Sequence, residues 1–436
     1  MRNPLMIVLA MLLITVPVKA QNTTEEPDPA ATEEATEEPM MGSDFVFGMV
    51  LVGPADDRGW SQAHFEGGEF VEAATDATML LFENYGGVEA AARAEAEARG
   101  DDPDSIESPM NDVVAEMVRD GAELIFMTSA DFVEETGELA LGYPDVVFIQ
   151  IAGDAVLTRT APPNVGNIMG QMEWGKFAVG CAAALTTETG RVGYLGPLID
   201  SETRRLAASA YLGARHCYEE YRGFDADELV FRVEWVGFWF EIPGVTRNPR
   251  RLVFSLYNDD FDVIVSGIDT PVAVEIAREF LNNGELVYAT AYENTDPCNE
   301  LPEVCIGTAF FGWGQPYAAI TENVINGTWQ PEWDWLSPNW DSFDTVDETP
   351  VGFATGDAFP EDFEADLNTF ITDLEDYTRN QFVPVSFPLW QGLLRLQDGT
   401  ILADEEELVN VLDVWYLSQL LEGMEGESFQ FQLEEE

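Results

Sequence analysis

Nine short apolar segments, separated in most places by helix-length amphipathic stretches, constrain the fold of this chain most strongly. They are residues 45–52, 79–84, 124–129, 146–151, 192–196, 231–236, 263–267, 287–292 and 351–355. Strands that are apolar along their whole length and alternate with helices are typical of parallel sheets covered by helices on both faces. A chain of 436 residues is long enough for two such units. The pattern therefore predicts an α/β protein with two doubly wound lobes and a cleft between them.

The charge of the chain excludes one large class of partners. It has 81 Asp and Glu against 20 Lys and Arg, which gives a net charge of −61. A chain this acidic repels phosphate backbones, so nucleic-acid binding is not expected. Only Lys19 and Lys176 are lysines. Adaptation to high salt and a generally acid-rich exported protein explain this composition equally well.

The N-terminus has the pattern of an export signal. Arg2 precedes an apolar run from Leu5 to Val16, and small residues at Val18 and Ala20 suit cleavage before residue 21. We therefore predict a signal peptide over 1–20, although an uncleaved anchor is the alternative. Residues 21–42 hold seven acids and three prolines, which favours a disordered linker. The expected location is extracytoplasmic, either periplasmic or secreted and associated with the cell surface.

The four cysteines fit an oxidising compartment. Cys298 and Cys305 enclose six residues in a loop with Pro and Asn, which favours a local disulfide. Cys181 and Cys217 lie in stretches with helical character. They either pair with each other or are small buried side chains.

The residues that follow the predicted strands are the candidates for a ligand site, because ligands of open α/β sheets bind beyond the carboxyl ends of the strands. Carboxylates and aromatic side chains recur at these positions. A flat ligand could stack on the aromatic rings, and carboxylates pair with hydroxyls or with cationic nitrogen. Asp57 alone could equally be a helix cap. The candidates are Asp57, Trp60, Ser129, Phe132, Trp235, Trp239, Asp269, Glu293 and Trp313.

The segment DRGWSQAHFEGG, which begins at Asp57, resembles the D-x-x-[FW]-N-x-x-x-x-x-G signature of the basic membrane protein family. These are the PnrA-like substrate-binding proteins of ABC transporters. The resemblance continues through NVGNIMGQMEWGKFAVGCAAAL, EWVGFWFE and GWGQPYAAITENVINGTW to SFPLWQGLLRLQDGTILADEEEL. It covers residues 45–425 in consistent order.

The resemblance implies a type I periplasmic-binding-protein fold, in which three crossovers join the two lobes and the lobes close on the ligand. With that fold, we place one lobe at 43–153 plus 297–345 and the other at 154–296 plus 346–436. Family members that bind purine nucleosides stack the base between aromatic side chains and hold the ribose with carboxylates.

Carried over by position, Asp57 and Trp60 match the signature, and Ser61 stands where the family usually has asparagine. Glu293 falls near the ribose-binding aspartate, and Arg205 matches a basic position. The GWGQPY segment lacks the lysine of the nucleoside-binding branch, and the W-x-x-x-W of Trp235 and Trp239 in EWVGFWFE resembles a tryptophan-rich branch.

We therefore expect a monomeric solute-binding protein that delivers a small, flat, polar ligand to an ABC permease, with a purine nucleoside favoured. The alternatives are a sensor that reports to a membrane receptor and a binder of a cationic aromatic ligand. A phosphorylated ligand is disfavoured, because no basic cradle is visible.

No enzyme activity, metal or cofactor is expected. The GxxxxGK match at 170–176 resembles a phosphate-binding loop, but Phe177 replaces the hydroxyl residue that this motif requires. The chain has only two histidines, His64 and His216. A catalytic triad or a metal site based on histidine is therefore not favoured.

Overall fold

The structure is a computed structural model that describes residues 44–99, 102, 108–380 and 385–429. The predicted signal peptide over 1–20 and the predicted linker over 21–42 lie outside these residues. Within the described ranges, none of the helices combines the length and the apolar character that a membrane crossing requires.

The first lobe is built on a six-stranded sheet in which every pair of neighbouring strands is parallel. Its strands are β1 (Val46–Val50), β2 (Thr78–Phe82), β3 (Ala122–Met127), β4 (Val147–Ile151), β5 (Val165–Gly170) and a later strand, β11 (Trp333–Leu336). The spatial order is β11-β5-β4-β3-β1-β2. The associated helices are α1 (Trp60–Thr75), α2 (Tyr85–Arg99), α3 (Met110–Arg119), α4 (Val133–Gly142) and α10 (Gly314–Ile325).

The second lobe is built on a seven-stranded sheet with the order β12-β10-β9-β8-β6-β7-β15. Its strands are β6 (Arg191–Gly196), β7 (Val230–Trp235), β8 (Val263–Ser266), β9 (Tyr288–Glu293), β10 (Cys305–Phe311), β12 (Val351–Thr355) and β15 (Met424–Glu425). Only β12 runs antiparallel to its neighbour among these described strands. The helices of this lobe are α5 (Met172–Thr186), α6 (Ser201–Glu220), α7 (Pro249–Asn258), α8 (Val272–Asn282), α9 (Asp296–Glu300), α11 (Glu364–Arg379) and α12 (Val411–Trp415). Two short strands, β13 (Leu394–Arg395) and β14 (Ile401–Ala403), form a separate hairpin.

All nine strands predicted from the sequence are present, within one or two residues at each end in most cases. The chain passes between the two sheets three times, after β5, after β10 and after β11. The expected fold class is therefore confirmed: an α/β protein of two doubly wound lobes joined by three crossovers.

Strand pairing moves two of the lobe boundaries that we predicted. Residues 165–170 form β5 and pair with β4, so the first lobe continues past residue 153 to the end of β5. Residues 305–311 form β10 and pair with β9, so this strand lies in the second lobe and not in the first. Neither strand was among the nine predicted ones. The boundary at 345 falls between β11 and β12 and stays a prediction.

Two disulfides stabilise the second lobe. Cys181 of α5 bonds to Cys217 of α6, and Cys298 bonds to Cys305, which confirms the predicted local bridge. Helices α5 and α6 approach closely, because the backbone of Gly180 faces Ala210 and that of Gly213 faces Phe177. Every residue of α5 is buried, as its apolar sequence predicts.

The C-terminal segment, residues 385–429, packs on the second lobe and also reaches the first. Its strand β15 pairs with the edge strand β7 and covers that edge. Trp415 packs edge-on against Trp333 and Trp335 of β11, with ring centroids 5.0 and 4.8 Å apart. Tyr416 donates a hydrogen bond of 2.6 Å to Asp154, in the loop after β4. The segment therefore contacts both lobes on the side where the chain crosses between them.

Candidate functional site

Two adjoining hollows lie between the lobes, beyond the carboxyl ends of β1 and β3 on one side and of β6, β7 and β8 on the other. The first hollow is narrow, with a cavity volume of about 30 Å³, and its lining is Val52, Trp60, Ser129, Ala130, Asp131, Ala152, Glu202, Phe238, Trp239, Phe240 and Asp269. The second hollow is larger and more open, with a cavity volume of about 500 Å³. Both hollows share Val52, Asp131, Phe238, Phe240 and Asp269. We call the two together the cleft.

Trp60 is the aromatic side chain that the first lobe contributes to the first hollow. It is the first residue of α1, and its indole Nε1 donates a 2.6 Å hydrogen bond to the carbonyl of Thr128 at the end of β3. Its ring packs edge-on against Phe311 and Trp313, with centroids 5.5 and 5.8 Å away. These contacts fix the orientation of the indole, so its remaining surface is available as a rigid platform for a ring.

The second lobe contributes three consecutive aromatic residues, Phe238, Trp239 and Phe240, which follow β7 and which we call the aromatic loop. Phe238 and Phe240 pack edge to face, 5.0 Å apart. The carbonyl of Trp239 accepts a 3.0 Å hydrogen bond from the amide of Asp269, which follows β8. The first hollow is therefore lined by aromatic side chains from both lobes.

Asp57 lines the second hollow and also holds the start of α1. Its carboxylate accepts hydrogen bonds from the backbone amides of Gly59, Ser61 and Gln62, at 2.9, 2.9 and 3.0 Å. Burial raises the pKa of Asp57, and the hydrogen bonds from these amides oppose that rise. Asp57 therefore caps the start of α1 and also lines the cleft. The hydroxyl of Ser61 accepts a 3.0 Å hydrogen bond from the amide of Gly53.

Asp269 and Glu293 are buried carboxyls with unused hydrogen-bonding capacity. Asp269 is 5% exposed and lines both hollows, while Glu293 is 1% exposed and lines neither. Among the described residues, the Oδ1 of Asp269 and both carboxyl oxygens of Glu293 meet no N–H or hydroxyl donor, and the two carboxyls hydrogen-bond with each other. Burial and the repulsion between neighbouring carboxyls raise the pKa values of both well above the ordinary range. The pair is therefore expected to retain a proton at neutral pH.

Lys176 of α5 lies behind this carboxyl pair. Its Nζ donates a 2.9 Å hydrogen bond to the carbonyl of Ser266 and lies 3.3 Å from the centre of the Tyr292 ring. Burial lowers the pKa of Lys176 well below its ordinary value, and the charge of Glu293 opposes that change. The lysine that completed the apparent phosphate-loop match is therefore packed inside the second lobe and lines neither hollow of the cleft.

Glu202 is a site candidate that the sequence interpretation missed. It lies in the first turn of α6, a turn fixed by reciprocal hydrogen bonds between Asp200 and Thr203. Its carboxyl lines the first hollow, and burial raises its pKa to about 7, with Arg205 opposing the rise. The rule of examining the residues after each strand would have found it, since α6 directly follows β6.

The structure brings seven of the eleven predicted site residues to the cleft. Trp60, Ser129 and Trp239 line the first hollow, Asp57, Ser61 and Phe132 line the second, and Asp269 lines both. These residues stay candidates for ligand contact.

The other four predicted residues lie behind the cleft wall or away from it. Arg205 is 2% exposed and forms a 2.7 Å ion pair with Glu173, and Glu293 lies behind Asp269. The indole of Trp235 donates to the carbonyl of Glu427 in the C-terminal segment. Trp313 stacks on His64 with centroids 4.6 Å apart, beneath Trp60. A direct ligand contact by these four is not visible in this arrangement of the lobes.

The two lobes touch across the cleft. A Cβ atom on Gly59 would lie 2.2 Å from the carbonyl oxygen of Asp269, so the two backbones are in close contact. Near this contact, Gln62 donates to Asp296 at 2.8 Å, and Asn294 donates to Glu66 at 3.2 Å. The arrangement is that of lobes closed on each other.

The electrostatic character of the cleft is acidic. Among its described lining residues, Arg93 is the only cationic side chain, and it pairs with Glu89 at 3.1 Å. No group of three or more His, Cys, Asp and Glu in the described ranges is arranged to hold a metal ion. The cleft suits a neutral or cationic ligand better than an anionic one.

Comparison with known proteins gives results at the level of family and fold. The family model for PnrA-like ABC transporter substrate-binding proteins matches residues 45–336. A purine-binding protein of Brucella abortus is 25% identical over 289 residues, which is 66% of this chain and 71% of the relative. A Haloferax volcanii protein named as a candidate ABC transporter glucose-binding protein is 23% identical over 379 residues, 87% of this chain and 80% of the relative.

Solved structures share the fold. A solute-binding protein of an ABC transporter system from Conexibacter woesei has a TM-score of 0.52 at 17% identity, over 78% of this chain and 98% of its own. A solute-binding protein from Aeropyrum pernix has a TM-score of 0.53 at 13% identity, over 78% of this chain and 82% of its own. At these identities, the similarity establishes the arrangement of the two lobes and nothing about the ligand.

Proposed function

Since this chain belongs to the PnrA-like family of ABC transporter substrate-binding proteins, we propose that it binds a small, flat, polar ligand in the cleft and delivers it to a membrane permease. The observation that carries this proposal is the first hollow, where Trp60 of one lobe and Trp239 of the other line the same space beside carboxyl groups. A purine nucleoside is the favoured ligand. It offers a flat base for stacking and ribose hydroxyls for the carboxylates.

The size and chemistry of the cleft support this ligand class. The second hollow, with a cavity volume of about 500 Å³, falls within the usual range for small-molecule sites, and the first, at about 30 Å³, is nearly filled in this closed arrangement of the lobes. Stacking on an aromatic side chain contributes about 1–3 kcal/mol per base. The purine-binding relative from Brucella abortus supports the same ligand class. The glucose-binding name of the Haloferax volcanii relative points to a sugar, which would use the carboxyls but gain less from the aromatic walls.

The proposed mechanism makes and breaks no covalent bond. The open form exposes the cleft, the ligand contacts both lobes, and closure presents a surface that the permease recognises. We propose an extracytoplasmic location for this cycle. A sensor that reports to a membrane receptor would use the same closure. Uptake of the ligand through a membrane permease that depends on this chain would separate the two functions.

The test is a binding comparison on the purified chain. We expect adenosine, guanosine or inosine to raise the melting temperature and to bind with one site per chain in calorimetry. D-glucose and adenosine monophosphate are the comparison ligands, and we expect weaker binding of both. Binding of glucose without any nucleoside would replace the proposed ligand, and tight binding of the monophosphate would contradict the electrostatic argument.

A further inference from the structure

The lining of the first hollow combines aromatic faces with acid groups and excludes bases. Four of its side chains are aromatic and three are carboxyls, namely Asp131, Glu202 and Asp269. No lysine, arginine or histidine lines it among the described residues. Aromatic side chains around a cation, with carboxylates nearby, are the usual way in which proteins bind quaternary and protonated nitrogen.

Glu202 has the freedom to meet a ligand. Within the part of the chain that the structure describes, its carboxyl has no hydrogen bond and no ion pair within 4 Å, and the nearby Arg205 is held by Glu173 at 2.7 Å. The position of Glu202 is nevertheless fixed, because the capping interactions between Asp200 and Thr203 secure the first turn of the helix. Glu202 therefore lies on a rigid element and lines the first hollow, and its carboxyl is available to bind a ligand.

Asp269 supplies an independent sign that the hollow is built for a ligand. It is about nineteen-twentieths buried, and Glu293 is the one side chain among the described residues that hydrogen-bonds with its carboxyl. One shared proton pairs at most two of the three buried oxygens of these carboxyls, and a ligand nitrogen that donates a hydrogen bond would satisfy an oxygen that remains.

We propose that Glu202, together with Asp269 and Asp131, forms an acidic subsite that binds a positively charged nitrogen of the stacked ligand. This inference rests on the proposed function, since it names the charge of the ring system bound in that cleft. The two lobes both contribute, because Asp131 follows β3 of the first lobe while Glu202 and Asp269 belong to the second. A cation in this subsite would therefore also favour closure.

The protonation state of Glu202 should make cation binding depend on pH. Burial raises its pKa to about 7, and a bound cation would favour the ionised form. Cation binding should therefore release protons and strengthen as pH rises through neutrality. The charged and titratable groups that surround this carboxyl are Asp131, Glu173, Tyr194, Asp200, Arg205, Asp269, Tyr292 and Glu293.

The experiment compares two isomers of a methylated nucleoside by calorimetry on the full chain. 1-Methyladenosine is protonated at neutral pH, whereas its constitutional isomer N6-methyladenosine stays neutral. We expect the cationic isomer to bind about tenfold more tightly at pH of about 7.5. Its affinity should fall severalfold on lowering the pH to about 6, because Glu202, whose pKa burial raises to about 7, loses much of its charge over this range.

Glu202→Gln should remove most of this preference and its pH dependence. Glu219→Gln, the same substitution at an exposed position near the end of the same helix, should keep both. Asp131→Asn is a second variant at an exposed residue, and it should weaken the cationic isomer selectively even if Glu202→Gln folds poorly.

The outcomes separate this inference from the proposed function. If the neutral isomer binds as tightly as the cationic one, the acidic subsite is wrong and nucleoside binding stands. If neither isomer binds, nucleoside binding fails, and 1-methylquinolinium with neutral quinoline replaces them as probes. A preference for quinolinium that Glu202→Gln removes would support the subsite, and equal binding of the two probes would overturn it.

Discussion

Replacing Gly59 by alanine should weaken ligand binding by preventing full closure of the lobes. In the closed arrangement, the added Cβ would lie 2.2 Å from the carbonyl oxygen of Asp269 and 2.7 Å from its carbonyl carbon. Both partners are backbone atoms, so a side-chain rotation cannot relieve the clash. The lobes would have to separate by about 1 Å, and overpacking of this kind costs about 1–3 kcal/mol. The expected loss in affinity is therefore between about fivefold and 150-fold.

The assay is calorimetric titration of Gly59→Ala and wild type with the tightest nucleoside, with urea unfolding of the unliganded proteins measured in parallel. Unliganded protein can open, so its unfolding free energy should change less than the binding free energy. Gly137→Ala is the matched control, because at that position in α4 the added Cβ would have no described atom within 4 Å outside its chain neighbours and the backbone of its own helix. A dissociation constant within twofold of wild type for Gly59→Ala would refute the closure argument.

Three further predictions concern stability and are checked by urea unfolding. Glu173→Gln should cost about 3–5 kcal/mol, because it leaves the buried guanidinium of Arg205 without its carboxylate; a loss below about 1 kcal/mol would show that the pair is not needed. Replacing Cys181 and Cys217 together by alanine should cost about 3–4 kcal/mol, since their bridge closes 36 residues; equal midpoints for the variant and the oxidised wild type would contradict this. Sodium chloride should raise the unfolding midpoint, because it screens repulsion within a chain of net charge −61; a flat salt titration would argue against it.

The fold could be predicted from the sequence to the extent that its strands are continuous apolar runs. β8, with all four residues buried, is an example. β5 was missed because VGNIMG contains two glycines and an asparagine, which are poor strand formers in isolation. Its pairing with β4 and β11 supplies the stability that its own sequence does not. Tertiary pairing, which a single sequence does not display, therefore decided the lobe boundary.

The candidate site, like the fold, could be predicted only in part from the sequence. The rule that ligands bind beyond strand ends was enough to select Trp60, Trp239 and Asp269, which line one hollow. It also selected Trp235, whose indole is instead covered by the C-terminal segment at Glu427. That cover comes from residues nearly two hundred positions later in the chain, so no local pattern could reveal it. Arg205 was selected as a site residue only from the family resemblance. In the structure it pairs with Glu173 within the second lobe.

The central claim is that a flat ligand is held between the two lobes, and the most direct test removes one aromatic wall from each. Trp60→Ala and Trp239→Ala should each weaken nucleoside binding by about 1–3 kcal/mol in calorimetry, while Phe224→Ala, an exposed aromatic outside both hollows, should leave it unchanged. Unchanged affinity in either tryptophan variant would place the ligand on one lobe alone or outside the cleft, and would contradict the account.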